Sequence, residues 1–323
     1  MENPTVAATR IEADVTGPRS LSAGQGPHRP ILLREVMHYL DPQPGDIAVD
    51  CTIGSGAHAR AILEAIKPGG RLIGIDVDAG ELQRTERRLR EAGYGPETFA
   101  ARQANFAQLP DVLAAEGLSA ANLLLVDLGV SSMQTADPGR GFSYKVPGPL
   151  DMRMNTSGGE TVSQLLARIS EAELASILID NADEPHADVI ARLIAGTRVT
   201  TTHLLERTVR IGLNHAVPTL TKSETKMAVR RTFQALRIAV NDEINSLEAL
   251  LRALPQCLAP GGRVVFVTFH SGEDRRVKKA LKAGLKHGDY SSIAVDVVRS
   301  AKDETYADRR AMAAKLRWAV RAR

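Results

Sequence analysis

The chain reads Val49-Asp50-Cys51-Thr52-Ile53-Gly54-Ser55-Gly56-Ala57-His58 and then, one helix later, Leu72-Ile73-Gly74-Ile75-Asp76. An apolar strand runs into a glycine turn, a helix follows, and a second apolar strand ends in an acid. In open α/β sheets, an acid at this place reaches ribose hydroxyls, and the glycines let the backbone approach the ligand closely. The two segments therefore predict a binding site for a nucleotide-type ligand.

The glycine turn differs from the dinucleotide fingerprint. After Gly54-x-Gly56 the third glycine is missing, and His58 stands at the start of the helix. A pyrophosphate needs the N–H groups of a helix start and close backbone packing, whereas S-adenosylmethionine has no pyrophosphate. The turn therefore favours a methyl donor over NAD. An NAD oxidoreductase would also need a hydride-transfer site, and the sequence offers none.

Strands and helices alternate over the first part of the chain. Strands are predicted at Ile47–Asp50, Arg71–Asp76, Thr98–Ala104 and Leu123–Leu128, and helices at Ala57–Ile66, Ala79–Ala92 and Phe106–Glu116. This alternation indicates a doubly wound parallel sheet. Each strand ends in or near a residue suited to a ligand at the carboxyl edge, namely Asp50, Asp76, Asn105-Phe106 and Asp127.

The alternation stops at a loop rich in glycine and proline, residues 138–149. Helices are predicted at Glu171–Ile179, His186–Ile194 and Thr202–Ile211, and a long helix at Arg231–Leu254; strands at Arg263–Phe269 and Ser292–Val298 then flank a helix at Glu273–Ala283. The pattern predicts a sheet interrupted by a helical insert. Residues 28–138 and 235–323 would form a methyltransferase-like sheet domain, residues 139–234 an inserted helical domain, and residues 1–27 a disordered tail.

Composition narrows the class of protein. The 323 residues carry 41 basic and 38 acidic side chains, a net charge of +3, which does not by itself indicate a nucleic-acid partner. The basic segment from Arg309 to Arg323 suits phosphates or the solvated face of a terminal helix. The two cysteines, Cys51 and Cys257, indicate neither disulfides nor a metal site, and no stretch is apolar enough for a membrane span or signal peptide. We therefore expect a cytoplasmic protein.

The segment Leu124-Leu125-Val126-Asp127-Leu128-Gly129-Val130-Ser131-Ser132 ends a strand in an acid, a glycine and two hydroxyls. Methylation of an exocyclic amine is difficult because the nitrogen lone pair is delocalised into the ring. An active site helps by accepting the amine N–H and by holding the nitrogen in line with the methyl group. Asp127 is either that acceptor or a residue that only orients the loop or the methionine moiety.

Three later segments carry candidate substrate contacts. Asp151 and Arg153 are flanked by apolar residues, which indicates either a bound ligand or an internal ion pair. Arg237 and Asn241 share one face of a helix with Gln234, and this face would meet RNA, the cofactor pocket or solvent. His270 follows a strand and is either a substrate contact or a structural histidine, with Ser271 as the expected N-cap of the next helix.

Taken together, the chain resembles the ribosomal small-subunit RNA cytosine-N4 methyltransferases of the RsmH or MraW type. The resemblance runs from His28 to Arg317, and its most specific parts are Asp127–Gln134, Arg140–Met154, Thr232–Glu243 and Phe269–Arg275. It implies a class I, Rossmann-like α/β fold with an inserted helical subdomain, residues 139–234, that recognises the substrate. It also implies S-adenosylmethionine as the methyl donor and a cytidine of 16S ribosomal RNA in the small subunit as the acceptor, with N4-methylcytidine as the product.

The resemblance assigns roles to individual residues. The cofactor-binding residues would be Gly54, Gly56, Ala57 and His58 in the first loop, Asp76 at the ribose, Phe106 near adenine, and Asp127 with Gln134 completing the pocket. The catalytic residues would be Asp127, Ser131, Asp151 and His270, and the substrate-binding residues Arg153, Arg237 and Asn241. No metal is expected, and the oligomeric state is left open, a homodimer included.

The chain departs from the family pattern mainly in the insert. Ala57 replaces a glycine of the first loop, Ala182-Asp183-Glu184-Pro185 replaces Gly-Glu-Glu-Arg, Met227-Ala228 replaces His-Pro, and Gly272 replaces a leucine. The donor is therefore better supported than the RNA substrate. The alternatives are a diverged paralogue that methylates another RNA or DNA cytosine, and a non-catalytic cofactor-binding ribosome-assembly factor. A DNA amino-methyltransferase is disfavoured because Asp127-Leu128-Gly129-Val130 stands in place of an Asp-Pro-Pro-Tyr motif.

Overall fold

The computed structural model describes residues 30–301, 304–305 and 309–323, and within them seven strands form one sheet. The strands are β1 Ile47–Asp50, β2 Arg71–Asp76, β3 Phe99–Gln103, β4 Ala121–Asp127, β5 Leu258–Thr268, β6 Tyr290–Ile293 and β7 Lys315–Arg321. Their order across the sheet is β3-β2-β1-β4-β5-β7-β6. Strands β1 to β5 are parallel, whereas β7 is antiparallel to both of its neighbours.

Helices cover both faces of the sheet and build a separate insert. Their bounds are α1 Leu33–Leu40, α2 Ala57–Ala65, α3 Ala79–Glu91, α4 Leu109–Ala115, α5 Ser132–Ala136, α6 Val162–Arg168, α7 Glu171–Ala182, α8 Ala187–Ile194, α9 Thr202–Ala216, α10 Lys222–Asn241, α11 Glu243–Cys257 and α12 Ser271–His287. Short 3-10 turns at Phe106–Gln108, Pro138–Arg140 and Arg309–Met312 complete the elements. No helix within the described ranges has the length and apolar character that would let it cross a membrane.

Strand β4 shows why the sheet is covered on both faces. Its residues Leu123 and Leu125 belong to a buried cluster with α1, α2 and α3, whereas Leu124 and Val126 belong to a second cluster with α4, α11 and α12. Successive side chains of a strand point to opposite faces, so an unbroken apolar run needs helices on both sides. The predicted doubly wound α/β class is confirmed.

The helical insert has a core of its own. Helices α6 to α10 bury a third cluster that includes Leu166, Leu178, Ile190, Val209 and Phe233. Helix α10 packs against α6, α7 and α9 and also touches α11. The boundary predicted between residues 234 and 235 falls inside α10, so this helix belongs to the insert core and also reaches the sheet domain. The tail predicted at residues 1–27 lies outside the described residues.

The prediction of a single helix at Arg231–Leu254 is wrong. The chain forms α10 and α11 instead, separated by Asp242, whose φ of 51° and ψ of 38° are left-handed. Aspartate tolerates this conformation better than most residues do. Because apolar periodicity continues on both sides of Asp242, the pattern alone did not reveal the break.

The carboxyl-terminal segment also differs from the sequence prediction. The basic stretch that was expected to be a phosphate-binding tail or a solvated helix contains β7, which lies between β5 and β6. Its Arg317 is buried and donates two hydrogen bonds to Asp274 of α12. The strand predicted at Ser292–Val298 is observed as β6, which covers Tyr290–Ile293. Val298 lies beyond it and makes an isolated bridge to Leu316. The count of basic residues gave no indication of β7, whose apolar residues pack on the sheet.

Candidate active site

A cavity of about 800 Å³ opens at the carboxyl ends of the parallel strands. It lies where the strand order reverses between β1 and β4, which is the usual place for ligands in open α/β sheets. The cavity is lined by eleven of the residues that were predicted from sequence: Gly54, Ala57, His58, Asp76, Phe106, Asp127, Ser131, Gln134, Arg153, Arg237 and Asn241. Gly56, Asp151 and His270 do not line it.

Asp76 ends β2 and lines the cavity with its carboxylate held by the backbone. Oδ2 accepts the N–H of Gly54 at 2.9 Å, and Oδ1 accepts the N–H of Asp78 at 2.9 Å. Burial, opposed by these two hydrogen bonds, raises the pKa of Asp76 to about 6. A carboxylate has about four lone-pair sites, so each oxygen retains capacity for a hydroxyl of a ligand.

Gly56 acts through packing in this structure. It is the left-handed N-cap of α2, with a φ of 76°. A Cβ placed there would lie 2.6 Å from Cγ2 of Thr85 on α3, so a larger residue would force α2 and α3 apart. The hydroxyl of Thr85 donates to the carbonyl of Gly54 in the same loop. The first loop is therefore fixed against α3, and Ala57, which follows it, lines the cavity with a small side chain.

His58 is buried at the start of α2 and links the amino-terminal segment to the cavity. Its Nε2 lies 3.0 Å from the carbonyl oxygen of Ile31, which can only accept, so Nε2 carries the proton. Burial lowers the pKa of His58 to about 4, and the ring is therefore neutral at neutral pH. Nδ1 faces Oδ2 of Asp127 at 3.6 Å, which is too long for a hydrogen bond.

Asp127 ends β4, and its backbone N–H donates to Oγ1 of Thr52 at 2.7 Å. This bond ties the end of β4 to the loop that follows β1. The carboxylate lines the cavity beside His58 and is about a quarter exposed. Asp50, at the end of β1, is instead buried outside the cavity lining, and burial raises its pKa to about 7.

Ser131 and Gln134 form a capping box at the start of α5. Oγ of Ser131 accepts the N–H of Gln134, and Oε1 of Gln134 accepts the N–H of Ser131. Nε2 of Gln134 donates to Oδ2 of Asp78 at 3.0 Å, and Nη1 of Arg140 donates to the same oxygen at 2.7 Å. Burial alone would raise the pKa of Asp78, but the hydrogen bonds from Arg140 and Gln134 lower it overall.

The loop before α6 is held by an internal ion pair. Arg153 donates to both carboxylate oxygens of Asp151, at 2.8 and 2.9 Å. Arg140 donates to the carbonyls of Arg153 and Met154. Asp151 thus acts by holding Arg153, and of the two only Arg153 reaches the cavity. This is the internal pair that the sequence left open as an alternative to a ligand contact.

Asn241 closes the same loop from the end of α10. Its Oδ1 accepts the N–H of Met154 at 2.6 Å, and its Nδ2 donates to the carbonyls of Met152 and Arg237. Met152 has a φ of 62°, a conformation that few non-glycine residues adopt without outside support. The amide of Asn241 therefore fixes a strained loop at the cavity wall, so the fully solvated helix face considered from sequence is not what the structure contains.

Arg237 and His270 each pair with a glutamate that the sequence did not single out. Arg237 donates to both carboxylate oxygens of Glu243, at 2.8 and 2.9 Å. Nε2 of His270 lies 3.0 Å from Oε1 of Glu273, whose Oε2 accepts the N–H of Phe269. Burial alone would raise the pKa of Glu273, but His270 and Arg237 lower it overall. Glu243 and Glu273 line the cavity, whereas His270 is the N-cap of α12, a place expected for Ser271.

The sequence profile of the MraW methylase family matches residues 25–322. The chain belongs to the MraW methylase family. The predicted family resemblance is therefore confirmed, and with it the enzyme class, an S-adenosylmethionine-dependent methyltransferase.

Relatives of this MraW methylase carry a consistent name. "Ribosomal RNA small subunit methyltransferase H 1" of Agathobacter rectalis is 42% identical over 302 residues, which cover 92% of this chain and 86% of the relative. "Ribosomal RNA small subunit methyltransferase H 2" of Alkaliphilus metalliredigens is 41% identical over 306 residues, which cover 93% and 87%. The solved structure of an rRNA methylase from Streptococcus thermophilus aligns with a TM-score of 0.38 and 10% identity, covering 90% of this chain and 94% of that one.

Sequence reasoning missed four polar residues that organise the site of this MraW methylase, namely Asp78, Arg140, Glu243 and Glu273. Arg140 and Asp78 are 62 positions apart in the sequence, so no local pattern couples them. Glu243 was the last residue of a quoted motif, but the predicted uninterrupted helix obscured its position after a break. Only the fold brings Arg140 to Asp78, whereas Glu273 follows His270 by three positions, a capping-box spacing that a local pattern could have revealed.

Replacing Asn241 by alanine tests the loop clamp of this MraW methylase. The change removes three hydrogen bonds, each worth about 1 kcal/mol, so we expect the free energy of unfolding to fall by about 2 to 3 kcal/mol. Urea denaturation measures this loss, and Asn245→Ala on α11 is the matched control because its side chain bonds only to the exposed Asp242. An Asn241→Ala protein as stable as the control would contradict the clamp.

Proposed function

We propose that this MraW methylase transfers the methyl group of S-adenosylmethionine to the N4 amine of a cytidine in the 16S ribosomal RNA of the small subunit. The observation that carries the proposal is the single cavity that brings together the acids at the ends of β2 and β4, Asp76 and Asp127. Family membership over residues 25–322 and the names of the relatives support the substrate class.

The donor side of the cavity suits S-adenosylmethionine. Asp76 would accept ribose hydroxyls with the lone pairs that its two backbone hydrogen bonds leave available. Phe106, held at the start of a 3-10 turn by the Asn105 cap, would lie against the adenine. Gly54 and Ala57 carry little or no side chain, so the backbone of the first loop is open to the methionine portion. Gln134, fixed by Ser131 and Asp78, would complete this wall.

The donor and the protein would contribute different parts of the methyl-transfer reaction. S-adenosylmethionine supplies an electrophilic methyl group on a positively charged sulfur. Asp127 would accept a hydrogen bond from the cytosine amine, which directs the nitrogen toward the methyl group and offers a place for the proton that the amine must lose. Thr52 holds the backbone at the end of β4, so the position of Asp127 is set before the base arrives. Ser131 would contribute through its place on the α5 cap.

The acceptor side is formed where the insert meets the sheet domain. Arg153, Arg237 and Asn241 line the cavity from the insert side, each held by hydrogen bonds within the protein. Asp151 and His270 would act as positioning residues, through Arg153 and Glu273 respectively. The target base would be presented unstacked, since RNA is read mainly in single-stranded or distorted regions. We propose residues 139–234 as the domain that recognises the RNA.

We also propose the cytoplasm as the site of action. Cys51 and Cys257 are unpaired and buried, which agrees with a reducing compartment.

Mass-spectrometric mapping of N4-methylcytidine in 16S ribosomal RNA, from cells with and without the gene, tests the proposal. We expect one modified cytidine to disappear on deletion and to return when purified protein and S-adenosylmethionine are added to the isolated small subunits. Binding of the donor without methylation of any small subunit would instead favour the assembly-factor alternative. Methylation of a different RNA or of DNA would favour a diverged paralogue.

A further inference from the structure

The outer face of helix α12 carries an uninterrupted row of cations. Five exposed side chains, Arg275, Lys278, Lys279, Lys282 and Lys286, follow one another at spacings of three, four, seven and eleven residues from the first. At 3.6 residues per turn they fall within about a third of the helix circumference. The opposite side is buried in the sheet domain. The row therefore faces solvent along almost the whole helix.

Acids of the surrounding protein leave most of this row unpaired. Arg275 pairs with Asp183 of the insert at 3.0 Å. Across the ranges 30–301, 304–305 and 309–323, the structure shows no ion pair for Lys278, Lys279, Lys282 or Lys286. The two acids of α12 itself are buried in its first turn, where Glu273 faces His270 and Asp274 pairs with Lys315 and Arg317.

Other helices of the same protein show the more usual arrangement. On α3, Arg84 and Arg88 pair with Glu81, and Arg90 pairs with Glu86. Interspersed charges of this kind stabilise a surface helix by a few tenths of a kcal/mol per pair. The helix dipole accounts for a cation in the last turn of α12 but not for those in its middle. The unmixed row on α12 thus weakens the isolated helix, which points to an external anionic partner.

The position of α12 connects the row to the active site. The helix starts directly after β5 at the cavity edge, where Phe269 and Glu273 line the cavity. Its 17 residues extend for about 25 Å. Arg275 and Lys279 of the row also line a groove of about 840 Å³, whose other lining residues carry both signs of charge, whereas Lys278, Lys282 and Lys286 lie outside it.

We propose that the outer face of α12 binds the phosphate backbone of the RNA that flanks the target nucleotide. The inference rests on the proposed function for its RNA, and it adds a second contact surface, which belongs to the sheet domain and lies beside the insert. The five cations together span about 16 Å along the axis, so the row follows an extended backbone over a few nucleotides.

An anionic membrane is the other polyanion that a basic helix can bind. Membrane-surface helices insert a large apolar face between lipids. The apolar side of α12, including Val277 and Leu281, is buried against the sheet and is therefore not available for insertion. These contacts favour RNA as the occupant.

The test is a fourfold variant in which Lys278, Lys279, Lys282 and Lys286 are replaced by glutamine, a residue with similar helix propensity. Affinity for protein-free 16S ribosomal RNA and the KM for small subunits would be measured over a series of KCl concentrations. We expect the RNA affinity to fall at least about tenfold at low salt, and the slope of log affinity against log salt to become shallower by about three. Affinity for S-adenosylhomocysteine should not change, and the melting temperature should not fall, since the replacement removes repulsion between like charges.

A matched variant, Arg34→Gln, Arg60→Gln, Lys67→Gln and Arg87→Gln, removes four exposed cations from α1, the α2 region and α3. It should keep both the RNA affinity and the salt slope of the wild type. An equal loss in the two variants would overturn the proposal, because the effect would then come from net charge. Loss of binding to phosphatidylserine vesicles in the α12 variant, with RNA binding intact, would also overturn it in favour of a membrane.

The experiment separates this inference from the proposed function. If the wild type methylates small subunits and the α12 variant has the same KM and salt slope, the surface proposal fails and the function stands. If no 16S ribosomal RNA is methylated but the variant still loses RNA affinity, the surface stands and the function fails. A wild type that binds no RNA overturns the surface proposal as well.

Discussion

Replacing Asp127 by asparagine should lower kcat for methyl transfer at least about a hundredfold, the usual size of a proton-acceptor contribution. Asparagine has nearly the same shape, but its Nδ2 donates hydrogen bonds and its oxygen is a poor proton acceptor. The backbone bond from Asp127 to Thr52 does not involve the side chain, so the end of β4 should keep its place. Single-turnover methylation of small subunits measures the chemical step directly.

Donor binding separates catalysis from cofactor contact at this residue. If Asp127 acts on the amine, affinity for S-adenosylhomocysteine measured by calorimetry should stay within about twofold of the wild type. The reason is that the lost contact is made to the acceptor base and not to the donor. Asp111→Asn, an exposed position on α4, is the matched control. A protein with full turnover and unchanged donor affinity would show that the acceptor role is wrong. A loss of donor affinity alone would assign Asp127 to the methionine portion.

Replacing Asp76 by asparagine should weaken donor binding about 10- to 100-fold, because charge-assisted hydrogen bonds contribute about 1.5 to 3 kcal/mol and each 1.4 kcal/mol is tenfold in affinity. The effect should appear in affinity for S-adenosylhomocysteine, measured by calorimetry. The Asp111→Asn protein again serves as the control, and an Asp76→Asn protein with wild-type affinity would exclude the ribose contact.

The pH dependence of donor binding gives an independent check on Asp76. Burial raises its pKa to about 6 in the ligand-free protein. The carboxylate is therefore ionised above this pH and protonated below it, and a hydroxyl donates more strongly to the ionised form. Wild-type affinity should fall as the pH is lowered from 7.5 through about 6, by up to about tenfold per pH unit. The Asp76→Asn protein should lack this fall, and an identical pH profile in both proteins would contradict the assignment.

The donor half of the site followed from sequence because its residues stand at strand ends. Strand ends are set by local apolar runs, and parallel strands bring their carboxyl ends to one edge of the sheet. Gly54, Asp76 and Asp127 could thus be placed together before any contact was known. Gly56 belongs to the same loop, but its packing against Thr85 depends on the angle between α2 and α3, which local pattern does not give.

The acceptor half was harder to predict because its geometry comes from long-range polar pairs. Asn241 bonds to residues nearly 90 positions earlier in the chain, and a single amide carries no sequence signal for such a partner. The sequence also gives no signal for the left-handed residue Asp242 that separates the two helices, since the apolar periodicity of α10 continues into α11. Charge counting failed at β7 because a buried pair, Arg317 with Asp274, accounts for one of its cations.

The place of β7 has a consequence for the order in which the sheet is assembled. Strand β6 precedes β7 in the chain, yet β7 is the strand that joins it to β5. During synthesis from the amino terminus, β6 therefore leaves the ribosome before β7, its hydrogen-bonded neighbour in the described sheet, exists, and the outer edge of β5 stays open for the same interval. Asp274 also lacks its arginine partner during this interval, because Arg317 lies on β7. A nascent chain stalled before residue 315 would expose an unpaired strand edge, the kind of surface that attracts chaperones or other copies of the chain.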